Sequence, residues 1–238
     1  MTQQIRLGDT IAEVEFKNIR NIHLSVYPPN GRVRIAAPLR MNLDTIRVYA
    51  VSQLDWIRRQ QKKLAAQERE TPREYLNRES HYVWGKRYLL KVVEVEAAPS
   101  VELKHRKMVL RVRPDATEET KQAVLARWYR DQLREALPAL LAQWEPLLGV
   151  KVNRVFVQKM KTRWGSCNPA GHAIRLNTDL AKKPPQCLEY VLVHELAHLV
   201  EHRHNDRFKA MMDGLLPGWR QLRDELNRMP LAHEDWLY

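Results

Sequence analysis

The run Val191-Leu192-Val193-His194-Glu195-Leu196-Ala197-His198-Leu199-Val200 limits this chain more than any other stretch. It reads His-Glu-x-x-His inside an apolar segment whose spacing predicts a helix. On a helix, residues four apart share a face about one turn apart. His194 and His198 can then bind one metal ion from the same side, with Glu195 next to the first of them. The set suits hydrolysis. A bound divalent metal lowers the pKa of water to about 7, and a neighbouring carboxylate takes the proton as the water attacks. Leu188, Val191, Leu192, Leu196 and Leu199 surround the motif, so the helix is expected to be buried, and buried polar groups need partners. The competing reading is a pair of hydrogen-bonded core histidines beside a surface glutamate, with the spacing accidental.

A catalytic zinc takes three protein ligands and keeps one position open. A residue eight places further along a straight helix lies ~12 Å from His194, too far to join it. The chain must therefore turn after His198. His204 is the best third candidate, at the spacing His-Glu-x-x-His-x-x-x-x-x-His. Metzincins share that spacing but carry a glycine three residues after the second histidine, where their helix breaks. Here the place is Glu201. His202 and Glu201 are the fallback ligands. Glu201, on the same helix face as His198, is better suited to hydrogen-bonding a ligand histidine.

His194-Glu195-Leu196-Ala197-His198-Leu199, then Glu201, then His204-Asn205-Asp206-Arg207-Phe208, resembles the YgjP-like family of zinc metallopeptidases. SprT-like and WLM-type proteases are its more distant relatives. Two further stretches carry the resemblance: Arg163-Trp164-Gly165-Ser166-Cys167 followed by Ile174-Arg175-Leu176-Asn177, and Tyr190-Val191-Leu192-Val193 running into the metal helix. The resemblance covers most of the chain. It implies a zincin-type catalytic domain that binds Zn2+ through His194, His198 and His204, with Glu195 as the base. It implies no particular substrate. Arg163 and Trp164, in the family's hairpin, are candidates for substrate contact. Arg163, Arg175 and Tyr190 are candidates for the oxyanion stabiliser that a tetrahedral intermediate needs.

Composition narrows the setting. The chain has 238 residues and only two cysteines, Cys167 and Cys187. No cysteine pattern makes a zinc ribbon, so any metal is expected at the histidines. The chain does not open on a signal peptide, and no apolar run approaches the ~18 residues of a membrane span. A cytoplasmic protein with free thiols is expected. Cys167 and Ser166 are expected to be structural rather than nucleophilic.

Charge is uneven. Residues 1–113 hold 22 Lys and Arg against 12 Asp and Glu, a balance of +10 out of the chain's +12. A basic surface speeds encounters with polyanions. The candidate contacts for nucleic acid are Arg32, Arg34, Lys104, Arg106, Lys107, Arg111 and Arg113, and the bland alternative is a solvated surface.

The fold class expected is α+β. Residues 1–113 form an antiparallel β-rich basic region, and residues 114–238 form the zincin-like hydrolase domain, with the boundary at Pro114-Asp115. Alternation at Val14 and Phe16, at Ile22, Leu24 and Val26, and at Val33 and Ile35 predicts strands, with a hairpin turn at Pro28-Pro29-Asn30-Gly31. Asn42 or Asp44 caps one helix reaching about Arg69. Thr71-Pro72 ends that pattern, and strands resume around 82–84, 88–96 and 101–112. Asp115 or Thr117 caps a helix from about Glu118 to Trp144, which Pro138 kinks or divides. A strand over 150–157 and a hairpin over 161–176 precede the metal helix. Asn205 or Asp206 caps the next helix, whose Phe208 packs behind the ligands. The end, His233 to Tyr238, is either a tail or a flap over the cleft.

Three functions are consistent with this pattern. The leading one is a zinc-dependent hydrolase, a peptidase acting on protein or peptide. The second is a metal-dependent hydrolase of nucleotide phosphoanhydrides, of pyrophosphatase type, although no glycine-rich phosphate loop is present. The third is a nucleic-acid-binding module whose zinc is structural, which would need a fourth protein ligand.

Overall fold

The computed structural model describes residues 2–27, 30–66, 75, 77–160 and 163–228. Pro28-Pro29, Thr71-Pro72, the last residues of the first predicted helix, Lys161 and the stretch from His233 to Tyr238 lie outside the described residues. The fold is α+β. The chain divides into two compact units, the second running Thr71–Met229.

The first unit begins with strands β1 (Thr2–Leu7), β2 (Thr10–Lys17), β3 (His23–Tyr27) and β4 (Arg32–Pro38) in the order β1-β2-β4-β3. Alternate residues Ile5 and Leu7, Ala12 and Val14, and Val33, Ile35 and Ala37 fall on one buried face, as the period of two demands. Helices α1 (Leu43–Ser52) and α2 (Leu54–Ala66) bring Ile46, Ala50 and Ile57 into that core. Asn42 caps α1 by accepting a bond from the Thr45 amide at 2.8 Å. Two expectations change here. The sheet is mixed rather than antiparallel, because β2 and β4 pair in parallel while β1 and β3 flank them. The single helix is two, because Gln53 leaves the helical angles (φ −101, ψ 5). The apolar spacing at 46, 50 and 57 continues across the break, so periodicity does not reveal it.

The second unit opens with a sheet of strands β5 (Ser80–Val83), β6 (Lys86–Glu94), β7 (Ser100–Lys104) and β8 (Lys107–Val112), ordered β5-β6-β8-β7. Its core residues Val83, Leu90, Met108, Leu110 and Val112 share one cluster with helix α3 (Glu118–Leu148) and with the metal helix. The boundary read at Pro114-Asp115 therefore falls inside this unit. The change from strand to helix there is a change of element, not of core. Thr117 caps α3, and the helix passes Pro138 and Pro146 without dividing. Each proline removes one backbone bond. The buried stripe Leu125, Tyr129, Leu133, Leu137 and Trp144 holds the helix together across Pro138.

Strands β9 (Arg154–Gln158), β10 (Gly165–Asn168) and β11 (Ala173–Asn177) form a small sheet ordered β10-β11-β9. Among the described residues β10 has no strand on its outer side. A 3-10 turn, Thr178–Lys182, leads into α4 (Pro185–Val200), then α5 (Asp206–Leu215) and α6 (Trp219–Arg228). Helix α4 is apolar on nearly all sides and buried from Cys187 to Ala197 except at His194 and Glu189. No described helix is long and apolar enough to cross a membrane.

Candidate metal centre

Helix α4 places His194 and His198 one turn apart, with their rings meeting edge to face at 4.9 Å between centroids. The helix ends at Glu201, whose extended angles (φ −132, ψ 110) turn the chain back. Asn205 then caps α5 by accepting from the Phe208 amide at 2.9 Å. This turn returns His204 to the helix. His204 Nε2 lies 3.0 Å from His194 Nε2 and 3.1 Å from His198 Nε2. Tetrahedral zinc with ligand nitrogens at ~2.0–2.1 Å would hold them ~3.3 Å apart, close to this spacing. A cation at the point the three nitrogens face would satisfy all of them at once. These three side chains form a group able to hold a metal ion.

Burial disfavours the protonated form of two of the three imidazoles. Burial holds His194 down to about 4, with the other two histidines adding to the effect. His198 is also lowered, chiefly by burial. His198 Nδ1 donates to the Glu201 carbonyl oxygen at 3.1 Å, which aims Nε2 at the cluster. Phe208, fully buried, touches all three rings, with centroids at 5.1 Å from His194, 4.7 Å from His198 and 4.9 Å from His204. Tyr190 meets the His194 ring edge to face and stacks on Trp219. Burial pushes the Tyr190 hydroxyl up to about 12, so it stays protonated.

Glu195 is only 6% exposed. Burial raises its carboxyl to about 7, against the opposing pull of the Arg163 charge. A carboxyl that titrates near neutrality is well matched to take up and return a proton.

The other predicted residues fall as follows. Glu201 and His202 lie outside the cluster. Glu201 supports His198 through its backbone oxygen, while its side chain accepts from the Arg203 amide at 3.2 Å. The side-chain role expected for Glu201 passes to the main chain because the helix ends on that residue. His202 Nδ1 bonds the His198 carbonyl at 2.9 Å. Arg163 is exposed, and Trp164 is half-buried with the Lys183 ammonium 5.7 Å from its ring centroid. Arg175 lies over Phe156. Burial, and then the Glu195 charge, lift the Cys167 thiol to about 11, so it is no nucleophile near neutrality. Ser166 sits mid-strand in β10.

The basic residues lie on different units and mostly have carboxylate neighbours. Arg32 pairs with Glu13 and Arg34 with Glu15 across β2 and β4. Lys104 and Arg111 both pair with Glu102, at 3.3 and 3.0 Å. Arg106, Lys107 and Arg113 are exposed.

Two residues quoted in the family hairpin have roles that escape sequence reasoning. Asn177 donates through Nδ2 to the Met160 and Arg163 carbonyls at 2.8 and 3.0 Å, tying down the approach to β10. Its place at the end of the family hairpin, just ahead of a helical turn, is the signal it offers. Gly165 lies against Glu195, and nothing local announces that.

No curated protein matches the chain at a significant level. Among solved structures, the metallopeptidase zymogen of Pyrococcus abyssi abylysin is 22% identical with a TM-score of 0.35, covering 40% of this chain and 98% of that one. A likeness that partial adds nothing to the chemistry. The family model of the YgjP-like metallopeptidase domain matches residues 20–229. With that match over most of its length, the chain belongs to the YgjP-like metallopeptidase family and is a metal-dependent hydrolase.

Proposed function

We propose that this protein is a zinc peptidase in which His194, His198 and His204 hold the metal and Glu195 is the general base. The observation that carries the reading is the convergence of three imidazole nitrogens beside a buried carboxylate poised near neutrality. Zinc, when bound, supplies a Lewis acid that acidifies water and polarises a carbonyl. Glu195 takes the proton of the attacking water on its carboxylate and returns it to the leaving amine. The Glu201 carbonyl keeps His198 in the tautomer that presents Nε2. Phe208 keeps water from the back of the three rings. Arg163, at the start of the β10 segment, is the candidate for steadying developing negative charge.

A structural metal would require a fourth protein ligand, and among the described residues the cluster has three. That favours an open, catalytic position over a binding module. Cys167 and Cys187 are free, in keeping with a cytoplasmic location. The nucleic-acid contacts read from charge have less support, since four of the seven basic residues are engaged by carboxylates.

The test combines metal content with turnover. His194→Ala, His198→Ala and His204→Ala are each expected to lose the single zinc. Glu195→Gln is expected to keep it and lose at least about a hundredfold in rate on a fluorogenic peptide panel. Turnover of nucleoside triphosphates with none of peptides would replace peptidase by phosphoanhydride hydrolase. Full metal in His204→Ala together with its loss in Glu201→Ala would overturn the ligand assignment.

A further inference from the structure

A glycine inside a strand marks either an unusual backbone angle or a close approach by other atoms. Gly165, the first residue of β10, does not have a positive φ. Conformation therefore does not explain it, and space does. A Cβ on Gly165 would stand 2.7 Å from Glu195 Oε1, 2.8 Å from Glu195 Cγ and 2.8 Å from Val191 Cγ1. Carbon atoms in contact prefer ~3.5–4.0 Å. The backbone of β10 thus lies directly on the face of α4 formed by Val191 and Glu195, two residues one turn apart.

The carboxylate needs such a wall. Among the described residues no hydrogen bond holds Glu195, although its side chain is almost fully buried. Such a side chain is located chiefly by packing, with the Arg163 charge acting on it besides. The main chain at Gly165 stands so near that an added Cβ would meet both its Cγ and its Oε1.

We propose that Gly165 is a positioning residue for the catalytic carboxylate: its missing side chain lets strand β10 seat against Glu195 and fix where that carboxylate stands beside His194. The proposal rests on Glu195 being the general base. A methyl group at 165 forces the Cγ of Glu195 aside, not merely its terminal oxygen, so rotation of the carboxylate alone gives no relief. The three atoms nearest the added methyl belong to Glu195 and Val191 and none to a ligand histidine, so the metal ligands are expected to keep their places.

The experiment uses the full-length protein loaded with zinc and assayed on fluorogenic peptides. Gly165→Ala is expected to keep one zinc per chain and an unchanged KM while kcat falls about a hundredfold, the scale of a ~1 Å misplacement of a reacting group. Unchanged kcat, or loss of zinc together with activity, overturns the proposal. A second measurement needs no turnover. In a Val191→Ala background, which removes the other close contact, thermal unfolding of the metal-free protein is compared for Gly165→Ala with Glu195 present and with Glu195→Ala. The expected result is a drop in Tm of a few degrees that disappears when the Glu195 side chain is gone, since residues in direct contact are not additive. An equal drop in both backgrounds overturns the proposal. Glu195→Gln separates the two readings. If it retains turnover, the assignment of the base has failed. If it loses turnover while Gly165→Ala does not, the positioning role alone has failed.

Discussion

The two four-stranded sheets have one design and two fates. Both run hairpin, hairpin, with the second strand of the first hairpin parallel to the second strand of the second: β1-β2-β4-β3 and β5-β6-β8-β7. The first is closed by its own helices, α1 and α2, and keeps a core to itself. The second has no core of its own. Its apolar face joins α3 and α4, and Tyr129 of α3 donates to the Tyr82 carbonyl at 2.9 Å. Its first turn is bonded to the chain leading into α4, through Trp84 N–H to Ala181 O at 2.8 Å and Gly85 N–H to Lys182 O at 3.2 Å. The same topology is a self-sufficient unit in one place and a buttress for the metal helix in the other. What covers the sheet decides its role, not how its strands are ordered.

Matched substitutions can break that comparison. Ile35 in β4 and Leu110 in β8 are both wholly buried. Truncating either to Ala is expected to cost about 2–5 kcal/mol, the usual range for such cavities. Leu110→Ala should also weaken zinc binding, because its core is that of α4, and Ile35→Ala should leave zinc affinity unchanged. Zinc titrations of both variants check this. Equal effects on metal would mean the two sheets are not separate in energy.

The turn glycines sharpen the contrast on a smaller scale. Gly8, between β1 and β2, and Gly85, between β5 and β6, both have positive φ, at 63° and 77°. An added Cβ on Gly8 would meet nothing within 4 Å, whereas on Gly85 it would lie 3.0 Å from Pro184 Cγ and 3.2 Å from its nitrogen. Gly8→Ala is expected to cost about 1 kcal/mol, the backbone strain alone. Gly85→Ala should add about 1–3 kcal/mol for overpacking against the residue that precedes α4. Denaturant unfolding of the two variants measures the difference.

Acid should also test the second unit. Burial alone would raise the Asp179 carboxyl, but Lys182 and Lys159, 2.8 and 2.7 Å away, outweigh it and hold the carboxyl well below the carboxylate range. A depressed folded-state pKa contributes stability above the unfolded value of about 3.9, and that contribution is lost as pH falls below it toward the folded value. Asp179→Asn should therefore lower Tm at pH 7, with the gap from the unsubstituted protein closing as pH drops through the carboxylate range. A gap independent of pH would show that the aspartate acts by shape.

The smallest effect is expected at the basic residues. Because Glu13, Glu15 and Glu102 already engage Arg32, Arg34 and Arg111, replacing all three with Ala should change the log–log salt slope of DNA binding by less than about 0.9, one phosphate's worth. A steeper change would put nucleic acid back among the partners.

How much of this was legible in the chain follows from the range of the interactions. The His194–His198 pair rests on helical spacing, and the caps at Asn42, Thr117 and Asn205 rest on a side chain reaching an amide three residues ahead. Such contacts lie within one turn, so residue types and spacing suffice to read them. The alternation of Val33 and Ile35 likewise reports one buried face. It does not say which strand lies alongside, so the parallel pairing of β2 with β4 stayed hidden.

The chain alone therefore determined the helix, the two candidate ligands on it, the neighbouring carboxylate and the place where a third histidine could arise. Tertiary structure decided the rest. It returned His204 to within 3.0–3.1 Å of the other two nitrogens, gave the support of His198 to a backbone oxygen rather than the Glu201 side chain, and merged the second sheet with the metal core. It also brought Gly165 against Glu195, thirty residues later in sequence. Local spacing encodes what one turn of backbone can bring together. Contacts between distant segments depend on how whole faces pack, and no short pattern records which faces will meet.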